Sequence, residues 1–180
     1  MTAMPVFDNS PEGMSGSDWA LLHNSPVTLF WRLALLDQKT AWLRDNGYAI
    51  TTLDAGSWLS VEHMHDALSR AFSFPDYYGR NLDALRDCLR DVALYAYGSS
   101  PSASGTVMVL TGYERFAGAE PRAAQVLLDA YAHCARTGLL VGHRMMLLLQ
   151  TNDPAIRFGT VGACPVVWNS QEWLNSSRGL

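Results

Sequence analysis

Lysine is almost missing from this chain. Lys39 is the only one in 180 residues, arginine supplies the remaining positive charge, and the formal net charge is -4. No basic cluster resembles a groove that tracks phosphates, which argues against direct binding of RNA or DNA. Cysteine is scarce as well. Cys88, Cys134 and Cys164 are far apart and odd in number, a pattern of small buried residues in a reducing compartment and not of a disulfide framework. Residues 1–31 hold no Lys or Arg but do hold Asp8, Glu12 and Asp18, so the basic start of a secretory leader is missing. The longest apolar stretch, residues 139–149, is interrupted by Gly142, His143 and Arg144 and is too short to span a bilayer. A cytoplasmic protein without membrane contact is expected. The 48% hydrophobic content suits one compact domain with a substantial core.

Catalytic signatures are also lacking. There is no Gly-x-x-x-x-Gly-Lys-Ser/Thr loop, no Gly-x-Gly-x-x-Gly fingerprint and no Gly-x-Ser-x-Gly elbow. The tempting cluster Glu62-His63-Met64-His65-Asp66 places its histidines two apart, on different faces of a helix. Helical zinc sites use a spacing of four, so capping and surface roles are expected for His63 and His65. His133 and Cys134 are chain neighbours and make a poor base–nucleophile pair. His143 precedes a strand and has no evident carboxylate partner. No catalytic residue, metal or cofactor is expected.

What is present reads as alternating strands and helices. Residues 1–26, rich in Pro, Gly, Ser and Asn, suggest a loose arm. Residues 27–31 suit a strand or a helix entry, and 33–46 suit a helix stopped by Asn46-Gly47. A β-branched strand over 48–53 leads to a helix from Ser60 with Val61, Met64, Ala67, Leu68, Ala71 and Phe72 inward. Residues 98–105 read as a flexible loop, and Thr106-Val-Met-Val-Leu110 as a buried parallel strand. Gly118 and Pro121 mark a break, after which residues 123–136 form a helix with Val126, Leu127, Ala130, Tyr131 and Cys134 inward, closed by Gly138. Met145-Met-Leu-Leu-Leu149 is a further buried strand. Helices between buried strands imply an α/β fold with a small, mainly parallel sheet of three or four strands and right-handed crossovers. One domain over 27–180 is expected, with a core at 48–150 and a tail from 151 that two tryptophans dock on the body.

Residues 72–92 organise the chain. Pro75 and Gly79 shape a loop, Asn81 is a good N-cap, and an amphipathic helix follows. At roughly 100° per residue, Leu82, Leu85, Cys88, Leu89 and Val92 share one face. Asp83, Asp87 and Asp91 lie opposite them, with Arg86 and Arg90 on the shoulder. Like charges four apart cost a helix about 0.2–0.5 kcal/mol per pair. The row is therefore either a solvated face laced by Asp83–Arg86 and Asp87–Arg90 pairs or carboxylates presented beside an exposed tyrosine to a basic partner.

The run Pro75-Asp-Tyr-Tyr-Gly-Arg-Asn-Leu-Asp-Ala-Leu-Arg-Asp-Cys-Leu89 resembles the barstar family of ribonuclease inhibitors. A weaker likeness in element order covers 48–150. The resemblance implies a barstar-like parallel sheet flanked by helices and a loop–helix that plugs the active site of a basic, barnase-type ribonuclease. It assigns Tyr77 to the partner-facing tyrosine, Asn81 to the cap, Asp83 and Asp87 to the enzyme-facing carboxylates and Cys88 to the inward cysteine. The surface so implied comprises Tyr77, Gly79, Arg80, Asn81, Asp83, Ala84, Arg86, Asp87 and Asp91, with His133 on a later helix. This chain departs from the family twice. Arg86 stands where the founding inhibitor has a tryptophan, and His133 stands at a family acidic position for which Asp129 is the nearest substitute. The alternatives are a general interaction module whose partner is not a nuclease and, as a third class, an enzyme or nucleotide binder with a pocket at the strand ends.

Overall fold

The computed structural model describes residues 16–180. The first 15 residues of the anticipated arm lie outside the described residues. The remainder of that arm carries a helix, α1 (Ser17–Leu22). Asp18 holds it down, accepting a hydrogen bond from the Tyr48 hydroxyl at 2.8 Å while 3% exposed.

The elements alternate as the apolar patterning requires. Strand β1 (Val27–Phe30) leads to α2 (Leu33–Asp45) and β2 (Ala49–Asp54). Helices α3 (Val61–Phe72) and α4 (Leu82–Ala93) precede β3 (Thr106–Thr111). Helices α5 (Tyr113–Ala119) and α6 (Pro121–Leu139) precede β4 (Met145–Gln150), and a short β5 (Val167–Trp168) lies in the tail. The strands form one sheet in the order β2-β3-β4-β1-β5, every neighbouring pair parallel.

The fold class is the expected one, but among the described residues the sheet has five strands instead of three or four. Val27–Phe30 is a strand because β4 and β5 pair with it on both sides. A two-residue strand such as β5 has no periodicity to read. Alternation along the central strands divides the core. Met108, Leu110, Met145, Leu147 and Leu149 face α3 to α6, whereas Val107, Val109, Met146 and Leu148 face α1 and α2.

Several local expectations are corrected. Gly118 lies inside α5, a helix stabilised by burial of Tyr113 and Phe116. Helix α6 runs through Gly138 to Leu139, and Val126 is only half-buried. The loop over 98–105 is tied down. Ser99 donates to the Val92 carbonyl at 2.6 Å, Ser104 donates to the Asn46 carbonyl at 2.7 Å, and Gly98 sits where a Cβ would lie 2.3 Å from the Phe72 carbonyl oxygen.

The tail is fastened by one carboxylate. Glu172 is fully buried and accepts from the Trp31 amide at 2.9 Å, the Arg32 amide at 2.8 Å and Arg32 Nε at 3.0 Å. Asn169 also donates to it. Arg178 closes the chain, donating to the Pro154 carbonyl at 2.9 Å and lying 4.4 Å over the Trp168 ring. Glu172→Ala leaves several donors unpaired, at about 1–3 kcal/mol each where they stay dry. Its melting temperature should fall by about 4–12 °C, and limited proteolysis should release the tail first. An unchanged melt with a protected tail would contradict this role.

Candidate functional site

The surface that stands out is built by α4 and the loop before it. Helix α3 ends at Ser73 in the left-handed conformation (φ 54°), and the Phe74 amide returns to the Ser69 carbonyl at 3.0 Å. Phe74 and Tyr78 then turn inward and pack edge to face at 4.9 Å. Tyr77, between them in the chain, is 83% exposed. One tyrosine of the doublet anchors the loop and the other is displayed.

The anchor involves a residue assigned to the surface by its spacing. His65 is not a surface histidine: it is 1% exposed, and its Nδ1 shares a hydrogen bond with the Tyr78 hydroxyl at 2.5 Å. Burial holds its pKa below the usual 6.5, with Arg80 acting in the same direction and Glu62 and Asp66 opposing. His63 is exposed, and its Nδ1 accepts the Leu59 amide at 3.1 Å, a capping role.

Gly79 does not supply the left-handed residue of the loop; Arg80 does, at φ 48°. Arg80 is held there by Asp66 of α3, 2.7 Å from its guanidinium. The space at Gly79 serves the cap instead, because a Cβ there would sit 3.1 Å from Asn81 Nδ2. Asn81 caps α4 as expected, its Oδ1 accepting the Ala84 amide at 2.8 Å. Ala84 is half-buried beneath it.

Leu85, Cys88, Leu89 and Val92 of α4 are buried and Leu82 is half-buried. Burial raises the Cys88 thiol and pushes Cys134 up to about 12, so neither is a ready nucleophile. Asp83 and Asp87 are exposed one turn apart. Asp87 forms the anticipated pair with Arg90 at 3.4 Å, but Asp83 and Arg86 do not pair. Arg86 reaches to Asp129 of α6 at 3.3 Å. Asp91 is half-buried and accepts from the Tyr97 hydroxyl at 3.3 Å, so it is less displayed than its spacing suggested. His133 is exposed on α6 and makes no ion pair with the α4 carboxylates. Asp129 is committed to Arg86 and to the Gly162 amide and does not stand in as a free carboxylate.

A second buried histidine serves the framework. His143 bridges Thr106 Oγ1 at 2.8 Å and the Ala93 carbonyl at 2.9 Å and stacks on Tyr95. Among the described residues no three His, Cys, Asp or Glu side chains gather as a metal would require. No helix among them is long and apolar enough to cross a membrane.

Fold and site together define a parallel α/β protein that displays a pair of carboxylates and a tyrosine on one helix and its capping loop. The sequence model of the family described as "Barstar (barnase inhibitor)" matches residues 48–150, more than half of the chain. The chain belongs to the barstar family. It is also similar to the Bacillus subtilis (strain 168) protein named "Putative ribonuclease inhibitor YrdF", with 54% identity over 37 residues. That match covers 21% of this chain and 41% of the relative's length.

The loop anchor makes stability sensitive to pH. Burial lowers the pKa of both His65 and His143 from 6.5, so each is kept neutral in the folded chain and takes up a proton more readily when unfolded. Their contribution is complete above about pH 6.5 and is lost as pH falls through the folded values. Urea unfolding should give a lower free energy at pH 5.5 than at pH 7.5, and His65→Gln should flatten that slope. A slope unchanged by the substitution would remove His65 from this account.

Proposed function

We propose that the chain is a non-enzymatic inhibitor that blocks the active site of a ribonuclease with the loop and helix of residues 74–91. The observation that carries this reading is the pair Asp83 and Asp87, exposed one helical turn apart on a helix whose opposite face is buried, in a chain of a family described by its barnase inhibitor. A ribonuclease site is built from cations that hold phosphate. Two carboxylates at helical spacing can occupy such a site without offering a bond to cleave.

The neighbouring residues fit supporting parts. Tyr77 supplies a rigid aromatic surface beside the carboxylates, a residue type common at binding hot spots. Gly79, Arg80, Asn81 and Ala84 set the entry of the helix, so the carboxylates are placed before the partner arrives. Arg90 covers Asp87 through an exposed pair, which costs about 0–1 kcal/mol to open. Asp91 and His133 form the margins. The partner is a basic ribonuclease of the barnase type, with no direct contact to nucleic acid. Attraction between the opposite charges hastens capture, which suits protection of a cell from its own toxin in the cytoplasm.

Binding to an inactivated barnase-type ribonuclease tests this. Asp87→Ala should weaken binding by about 2–5 kcal/mol, while the melting temperature stays the same, since the side chain is 66% exposed. The association rate should fall as salt rises. Equal losses of stability and affinity would point to a structural role, and absence of binding by the unaltered protein would reject the function.

A further inference from the structure

Arg86 is out of keeping with a surface meant to meet cations, and its placement resolves the conflict. Its Nη2 lies 3.3 Å from Asp129 Oδ2 on α6, away from Asp83 three residues earlier on its own helix. An isolated helix would favour the Asp83 pair. The difference lies in how Asp129 is held. Its other oxygen accepts the Gly162 amide at 2.9 Å. Gly162 stands in the left-handed region at φ 52°, where a Cβ would lie 3.2 Å from the backbone of Ala132 and His133. Val161 and Cys164 exchange two backbone hydrogen bonds at 2.8 Å around it. Arg136 donates to the Gly162 carbonyl and, at 3.3 Å, to Cys164 Sγ. Gln125 fixes the start of the segment by accepting the Gly159 amide at 2.9 Å.

This segment lies beyond residues 48–150, the part matched by the family. Residues 158–166 carry no charge of their own. What they bring to Asp129 is an oriented backbone amide. Within one turn of Arg86 helix α4 carries Asp83, Asp87 and Arg90, and α6 carries His133 one turn and Arg136 two turns after Asp129.

We propose that Asp129, oriented by the tail loop at Gly162, is a specificity-determining positioning residue that draws the Arg86 guanidinium away from the carboxylate row of α4. Resting on the function proposed above, Asp83 and Asp87 then meet the partner's cations without a competing cation between them. Released from Asp129, Arg86 would turn back to Asp83 or stand toward the basic partner, lowering affinity in either case. The tail thus tunes the recognition helix from a distance, through one ion pair.

Four proteins test this against an inactivated barnase-type ribonuclease: the unaltered chain, Asp129→Asn, Arg86→Ala and the double variant. Asp129→Asn should weaken binding by about tenfold, and adding Arg86→Ala should restore it. A general structural defect would not be rescued in this way. If Asp129→Asn binds normally, or the double variant stays weak, the proposal is overturned. Failure of the unaltered chain to bind would reject the inhibitor function instead, and a measurement on the free protein still decides the placement of Arg86. The ¹⁵N resonance of Arg86 Nε should move with Asp129→Asn and hold with Asp83→Asn; the reverse pattern overturns the proposal. Gly162→Ala, which strains the tail loop and leaves Asp129 intact, should move the same resonance, and a fixed resonance there would remove the tail from the mechanism.

Discussion

The architecture depends on burying both faces of the central strands. Every residue of β4 is buried, as are the first five of β3, and alternate side chains point to opposite faces of the sheet. A parallel sheet of this kind needs cover on both sides. Within residues 48–150 the helices all pack on one side, around Met108, Leu110, Leu147 and Leu149. The other side, with Val107, Val109, Met146 and Leu148, is covered by Leu21, Leu36 and Leu43 from the two helices before residue 48. The N-terminal addition is therefore part of the core. The tail adds a strand beside β1 and locks it through the buried carboxylate of Glu172.

Against that framework α4 can divide its labour. Its apolar face closes on α6, with Cys134 Sγ 3.5 Å from the Arg86 carbonyl, and Arg86 adds an exposed ion pair to Asp129. The loop before it is held by the aromatic side chains of Phe74 and Tyr78, the His65 ring and the Arg80–Asp66 pair. The outward groups are thus held by a rigid support. Such preorganisation lowers the ordering cost that binding would otherwise carry.

Much of this was legible in the chain. Continuous runs such as Met145-Met-Leu-Leu-Leu149 announce strands buried on both faces, and the apolar arc of α4 names its inner residues. Asn81 declared its capping role because a cap is a local interaction, complete within four residues. The weak points were equally specific. Helix α5 was hidden because its Gly118 reads as a break, and only burial of Tyr113 and Phe116 overrides that preference. His65 looked like a surface residue because its partner, Tyr78, comes from the loop beyond the helix. Arg80 rather than Gly79 takes the left-handed conformation because an ion pair to α3 holds it there.

The sequence by itself determined the α/β class, the inner face of helix α4, its cap and the row of Asp83, Asp87 and Asp91 opposite that face. Each follows from periodicity or from contacts between near neighbours. Only the tertiary structure decided which of those charges stay free. Arg86 chooses between Asp83, three residues away, and Asp129, which is 43 residues away in the chain. That choice is made by the backbone amide of Gly162, a group with no side chain to read, brought to α6 by the folding of the tail.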